Sequence, residues 1–310
     1  ALKSGSGYNK KARYKGLSER IGVFGIGEAH QMLSDRSNKM WKNVDAAFGA
    51  NAFKLFVTGT PYDFIYGEGA AEFFDKDEQA LFTRNDLYKN KRTDPDSHYK
   101  DYPDFNFYGI DVADVIAKLQ NDPAWEDDAN GFTWNKMFTF DAVTSKFKYE
   151  DSLVWIFSRM FAMSAFSENG DELSIKNAPG LCEQAKRHGL VVLPVGTAEA
   201  SASVYISTLK KLLVDRGLFN GTIFDAYDDD LGDRKEDIAN SKGNTMTLTC
   251  NKDCTGANIP ELGYIVFMRK LGDSIKFFEQ ATGRIGRKYK NKTSCGVFLA
   301  DLENHMNIRL

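Results

Sequence analysis

Short apolar runs of β type alternate with stripes of helical period along much of this chain, and no other feature restricts its fold as strongly. The runs at 21–26, 53–57, 190–195, 222–225, 245–250, 264–268 and 297–300 each read as a strand. Between them lie helical stretches. Met40, Trp41, Val44 and Phe48 carry one over 38–48, and Leu153, Ile156, Phe157, Met160 and Phe161 carry another over 150–166. Tyr205, Leu209, Leu212 and Leu213 fall at i, i+4, i+7 and i+8, the stripe of a core-facing helix. A further helix is expected over 274–282. Strand–helix–strand succession of this kind predicts an α/β fold built on a mostly parallel sheet with helices on both faces.

Composition removes several classes. With 310 residues the chain is long enough for about two domains and a core that needs no staples. Lys and Arg number 40 against 43 Asp and Glu, a net charge of −3, so contact with a polyanion must rely on local basic patches. No apolar run reaches the roughly 18 residues of a membrane span, and no signal peptide opens the chain. Cys182, Cys250, Cys254 and Cys295 form no C-x-x-C pair, which argues against structural zinc and for a reducing compartment; the expectation is cytoplasmic.

Two stretches break the alternation. The first twenty residues are polar and basic, with Lys3, Lys10, Lys11, Arg13, Lys15 and Arg20, and read as a solvated arm. Residues 69–148 are rich in Asp, Lys, Tyr and Phe, with weak periodicity except at 112–119. They read as a connecting or inserted, mainly helical segment whose aromatics fill a satellite core rather than stack on bases.

Polar residues collect where strands stop, and parallel sheets bind their ligands at such places. Gly27-Glu28-Ala29-His30 follows the first strand and Thr58-Gly59-Thr60-Pro61 the second. Thr249 ends a later strand and precedes Cys254-Thr255-Gly256-Ala257-Asn258-Ile259-Pro260. Gln280-Ala281-Thr282-Gly283-Arg284-Ile285-Gly286-Arg287 closes a helix. Gln280, Arg284 and Arg287 lie at i, i+4 and i+7 and share a face if the helix continues. Taken alone, each pattern has a plainer explanation: a strand-end turn, a loop, or a solvated basic helix end running on into Lys288, Lys290 and Lys292.

In this order the four patterns resemble those of superfamily-two helicases and translocases, the two-lobed RecA-like nucleic-acid motors. With a DEAH-like box and a Gln-x-x-Gly-Arg-x-x-Arg ending, they are similar to restriction-enzyme translocase subunits and phage or bacterial helicases. The resemblance implies RecA-like parallel sheets: a partial first lobe over 1–68, the connecting segment over 69–168, and a nearly complete second lobe over 169–310. It implies ATP with Mg²⁺ between the lobes of an intact parent and DNA, rather than RNA, as the favoured partner. Other subunits or a missing N-terminal part would complete the assembly, with no membrane. Glu28 would orient the attacking water, with Arg284 and Arg287 neutralising the transferring phosphoryl group, an effect typically worth about 10³–10⁵ in rate. His30, Thr58, Thr60, Gly256, Asn258 and Gln280 would bind ATP or couple its state to lobe closure, and Thr249 and Thr255 would touch the nucleic acid.

Two departures qualify those roles. Gly27 occupies the acidic-box position where an Asp would hold the metal, and it offers no side-chain oxygen. A phosphate-cradling G-x-x-x-x-G-K-[ST] loop is absent, since none of the 26 glycines is followed by lysine. The expectation is therefore a chain lacking the front of the family core, a fragment or degenerate form that hydrolyses little ATP and holds neither ATP nor Mg²⁺ tightly by itself. The other reading is a non-catalytic module that binds nucleic acid or protein on the same scaffold.

Overall fold

The computed structural model describes residues 23–27, 53–57, 84–94, 96–110, 113–121, 125, 132–141, 143–161, 174–194, 201–227, 234–251, 258–271 and 275–300. The helix expected at 38–48 lies outside them. The chain divides into two compact units, Ala1–Leu87 and Tyr88–Leu310.

In the first unit, strands β1 (Val23–Gly27) and β2 (Phe53–Val57) pair in parallel, from Val23 opposite Phe53 to Gly27 opposite Val57. Two neighbouring strands thus end in register at the points where the first two sequence patterns begin.

The second unit is built on a six-stranded sheet. Its strands are β3 (Asp104–Gly109), β6 (His188–Val192), β7 (Gly221–Asp225), β8 (Asn244–Thr249), β9 (Tyr264–Phe267) and β10 (Ser294–Leu299). The order across the sheet is β3-β10-β9-β6-β8-β7, and every pairing is parallel. The α/β architecture expected from the alternation is therefore present. A two-residue hairpin, β4 (Phe140–Asp141) with β5 (Lys146–Phe147), stands apart from the sheet.

Helices α1 (Arg84–Thr93), α2 (Ala113–Gln120), α3 (Trp134–Met137) and α4 (Glu150–Phe161) precede β6. Helices α5 (Ala202–Asp215), α6 (Arg234–Asn240) and α7 (Ile275–Ile285) connect the later strands. Their faces follow from handedness. Parallel crossovers are right-handed, so connections that move in opposite directions along the sheet place their helices on opposite faces. From β6, α5 leads outward to β7. From β7, α6 leads back to β8, and α7 leads from β9 to β10 in that same returning sense. Accordingly Tyr205, Ile206 and Leu209 of α5 share one core with Val191, Val266 and Phe298. Ile238 of α6 and Phe278, Ala281 and Ile285 of α7 share the other with Leu190, Val192, Ile265 and Val297. Alternate residues of one strand feed opposite cores, as the pleat requires. Both faces being covered, β9 reads as an unbroken apolar run and most of β6 does too, while β8 alternates Thr245, Thr247 and Thr249 with Met246 and Leu248, all buried.

The stretch 69–168 contributes more to this unit than a connection would. Asp104–Gly109 is the edge strand of the sheet, paired with β10 from Asp104 opposite Ser294 to Gly109 opposite Leu299. Phe157 and Met160 of α4 lie in the first core. The sequence Asp-Phe-Asn-Phe-Tyr-Gly is half exposed, so an aromatic, polar composition that hides a strand from a search for apolar runs suits an edge position. The aromatics of this stretch do not form the separate satellite core expected for them: Phe138, Phe140 and Phe147 pack edge-on or tilted against Tyr205 and so join the first core of the sheet.

Candidate functional site

The chain must cross β6 to pass from β8 to β9, and that passage carries Asn258 from the third sequence pattern. Ile259–Leu262 forms a turn, with the Leu262 N–H donating to the Ile259 carbonyl at 3.3 Å. Gly263 then donates to the His188 carbonyl at 2.8 Å and accepts from the Gly296 N–H at 2.9 Å. These bonds seat the turn at the amino-terminal edge of the sheet, where β6, β9 and β10 begin.

Helix α7 runs back toward the same edge. It ends at Ile285, so the continuous face expected for Gln280, Arg284 and Arg287 covers only the first two; Arg287 lies beyond the helix, after Gly286. A Cβ on Gly286 would lie 2.6 Å from the Phe105 ring, and this close approach of β3 accompanies the end of the helix. Released from the helix, Arg287 donates from Nη1 to Oδ1 of the exposed Asn258. Residues from the third and fourth patterns, 29 positions apart, thus meet. Gln280 and Arg284 are half-buried on α7.

Of the remaining expected residues, only Thr249 is described. Thr249 ends β8 at the opposite, carboxyl-terminal edge; it is fully buried, and its carbonyl accepts from Leu193 N at 2.7 Å. Glu28, His30, Thr58, Thr60, Thr255 and Gly256 are outside the described residues. Gly27 is the last residue of β1.

Below the Arg287–Asn258 pair sits a group of buried polar residues that sequence reasoning missed. Lys292, expected on a solvated face with Lys288 and Lys290, is only 2% exposed. Its ammonium donates to the Pro260 carbonyl at 2.5 Å and the Leu262 carbonyl at 2.9 Å. The backbone explains the reversal. Lys292 N–H donates to the Tyr289 carbonyl at 3.1 Å, closing a tight turn in which Asn291 adopts a φ of 61°. Asn tolerates that left-handed conformation better than most residues. The turn leaves Lys290 exposed and directs Lys292 inward. Lys288 is also engaged, donating to the His98 carbonyl at 2.7 Å and lying 5.0 Å from the Tyr102 ring centroid. Only Lys290 of the three matches the expectation of a solvent-facing run, because a turn destroys any common face.

Burial governs the electrostatics here. It pushes Lys292 down to about 8, helped by the Arg287 charge and opposed by Cys295, Glu261 and Cys182. His188, whose Nδ1 is 2.9 Å from Thr245 Oγ1, is pushed down to about 4 by burial and by the Arg187 and Lys292 charges. Burial would raise the Cys182 thiol, but hydrogen bonds from Ser294, Ala185 and Thr293 outweigh it and bring the thiol to about 7. Glu261 is 8% exposed, and its Oε2 has no hydrogen-bond partner among the described residues.

The donor chemistry suits an oxyanion better than a divalent cation. Arg287 and Arg284, the latter in the last turn of α7, are both half-buried, and guanidinium groups match the oxygens of carboxylates and phosphates. Gly27, the last residue of β1, has no side-chain oxygen to offer a hard cation. Among the described residues no trio of His, Cys, Asp or Glu is arranged to hold a metal ion. None of the described helices is long and apolar enough to cross a membrane.

No family model matches the chain, and no curated protein matches it. Among solved structures it is similar to the ATP-dependent Type ISP restriction-modification enzyme LlaBIII bound to DNA, at 16% identity and a TM-score of 0.48, over 94% of this chain and 19% of that one. It is also similar to S. cerevisiae Dbp5 bound to RNA and ADP BeF3, at 12% identity and a TM-score of 0.38, over 94% of this chain and 56% of that one. A point variant of Dbp5 with the same ligands gives 11% identity and a TM-score of 0.44, over the same shares. The chain thus spans about a fifth of the restriction enzyme and just over half of Dbp5.

Proposed function

We propose that this chain is part of a superfamily-two nucleic-acid helicase or translocase, a fragment or degenerate form with little ATPase activity of its own. In this reading residues 1–68 belong to a first RecA-like lobe and 169–310 to a second, with the stretch between adding β3 and α2–α4 to the latter. The observation that carries the reading is the Arg287–Asn258 pair, which joins the third and fourth sequence patterns at one edge of a parallel sheet.

The roles follow from chemistry. Arg287 and Arg284 would neutralise charge spreading over a transferring phosphoryl group, and Asn258 would hold the Arg287 fork in place. Glu28 would polarise the attacking water. His30, Thr58, Thr60, Gly256 and Gln280 would bind ATP or relay its state between lobes. Thr255 would serve the nucleic-acid side, with DNA favoured over RNA; Thr249, fully buried, would act there only through its neighbours. ATP, when bound, would supply the phosphoryl group. Gly27 leaves the expected Mg²⁺ position without a ligand, so no step is assigned to the metal.

A steady-state ATPase measurement with and without DNA tests the catalytic half. Little or no turnover is expected, and robust DNA-stimulated hydrolysis would overturn it. A DNA titration over a range of salt tests the other half. Binding should weaken steeply as salt rises, since backbone phosphates are the expected contact; no binding to DNA or RNA at low salt would defeat the nucleic-acid reading. Gly27 favours a second reading, a module that binds nucleic acid or protein without using ATP; partner capture without any ATP dependence would support it.

A further inference from the structure

The Arg287–Asn258 pair is held from beneath. Asn258 is exposed and belongs to a loop, so its own backbone does little to fix it. The turn that follows, Ile259–Leu262, is gripped at its second and fourth carbonyls by one buried ammonium. Lys292 in turn is carried on the tight turn that starts two residues after Arg287. One short segment, 287–292, therefore supplies both the guanidinium that meets Asn258 and the amine that anchors the turn behind it.

We propose that Lys292 is a positioning residue, a latch that fixes the 258–262 turn so that Asn258 stays in register with Arg287. The proposal deepens the reading of Arg287 and Asn258 as site residues and rests on it for its functional meaning. An ammonium makes charge-assisted bonds to carbonyls that a neutral amine makes more weakly. The groups acting on Lys292 are Cys295, Glu261 and Cys182, which favour its charge, and Arg287, which opposes it; its own charge acts on His188. With Lys292 titrating near 8, the latch is tight below that pH and loosens above it.

The test uses the full chain and reads the latch directly. The side-chain amide signal of Asn258 is followed by ¹⁵N NMR from about pH 6.5 to about pH 9.5 in the wild type, in Lys292→Met and in Cys182→Ser. The expected result is a step in the wild-type Asn258 signal with its midpoint near 8, retained in Cys182→Ser. In Lys292→Met the step should vanish, and the signal should move toward that of a solvated Asn at every pH. A flat wild-type signal would overturn the proposal. So would a step that disappears in Cys182→Ser, or an Asn258 signal unmoved in a folded Lys292→Met protein. If Lys292→Met does not fold, the wild-type and Cys182→Ser titrations decide by themselves. These signals report the latch whether or not the protein binds nucleotide or DNA, so its failure is separable from failure of the functional reading.

Discussion

A methyl group on Gly263 would lie 2.2 Å from the Ala185 Cα and 2.3 Å from the Ala185 carbonyl oxygen. Both are backbone atoms, which cannot rotate aside as a side chain would. Gly263 is also where the incoming loop bonds to His188 and Gly296 at the candidate edge. Gly263→Ala is therefore expected to cost about 1–3 kcal/mol or more, read as a lower urea midpoint; an unchanged midpoint would show that the close approach is not real. At this scale the sequence was an uneven guide. Arg287 and Asn258 stood out because each sits in a short pattern of unusual residue types. Lys292 did not, because a lysine among lysines reads as surface. Only the left-handed Asn291 and the resulting turn distinguish it from Lys290.

Among the elements, the helix with the clearest sequence stripe is also well anchored. Ser201 caps α5 by accepting from Val204 N at 3.4 Å, and Leu209 is fully buried between its neighbours Tyr205 and Leu213. Leu209→Ala should lose about 2–5 kcal/mol, measurable by thermal or urea unfolding; a loss below about 1 kcal/mol would mean that the first core is loosely packed there. Strands β6, β8, β9 and β10 were legible for a related reason. Covered on both faces, β6, β9 and β10 carry mostly apolar residues, and β8 alternates β-branched threonines with Met246 and Leu248. Edge strand β3 escaped because half of each face meets solvent and its residues resemble a loop. The end of α7 escaped too. Gly283 and Gly286 both offer a helix-stop signal, and what accompanies the stop at Gly286 is the approach of Phe105, a contact across 181 residues that local pattern cannot encode.

For the molecule as a whole, the buried edge predicts how stability responds to pH. His188 falls from an ordinary 6.5 to about 4 on folding, so between those values the unfolded chain binds the extra proton. Its contribution is intact above about 6.5 and is lost as the pH falls toward 4. Urea unfolding from neutral to acid pH should show this loss, on the order of 1–2 kcal/mol after reduction for partial solvation, and His188→Gln should remove that share of the slope. An identical slope in the variant would refute it. Lys292 behaves in the other range. Its value drops from 10.5 to about 8, so its burial weighs against folding at neutral pH, and that penalty fades as pH rises from 8 to 10.5. Hydrophobic periodicity, a property of neighbours along the chain, was enough by itself to determine an α/β class and the approximate places of most strands, and residue type at the element ends gave the four polar patterns. The strand order, the edge position of β3, the inward path of Lys292 and the meeting of Arg287 with Asn258 were decided only by tertiary structure. Each depends on which distant segments become neighbours, and that is settled by packing two faces of one sheet at once.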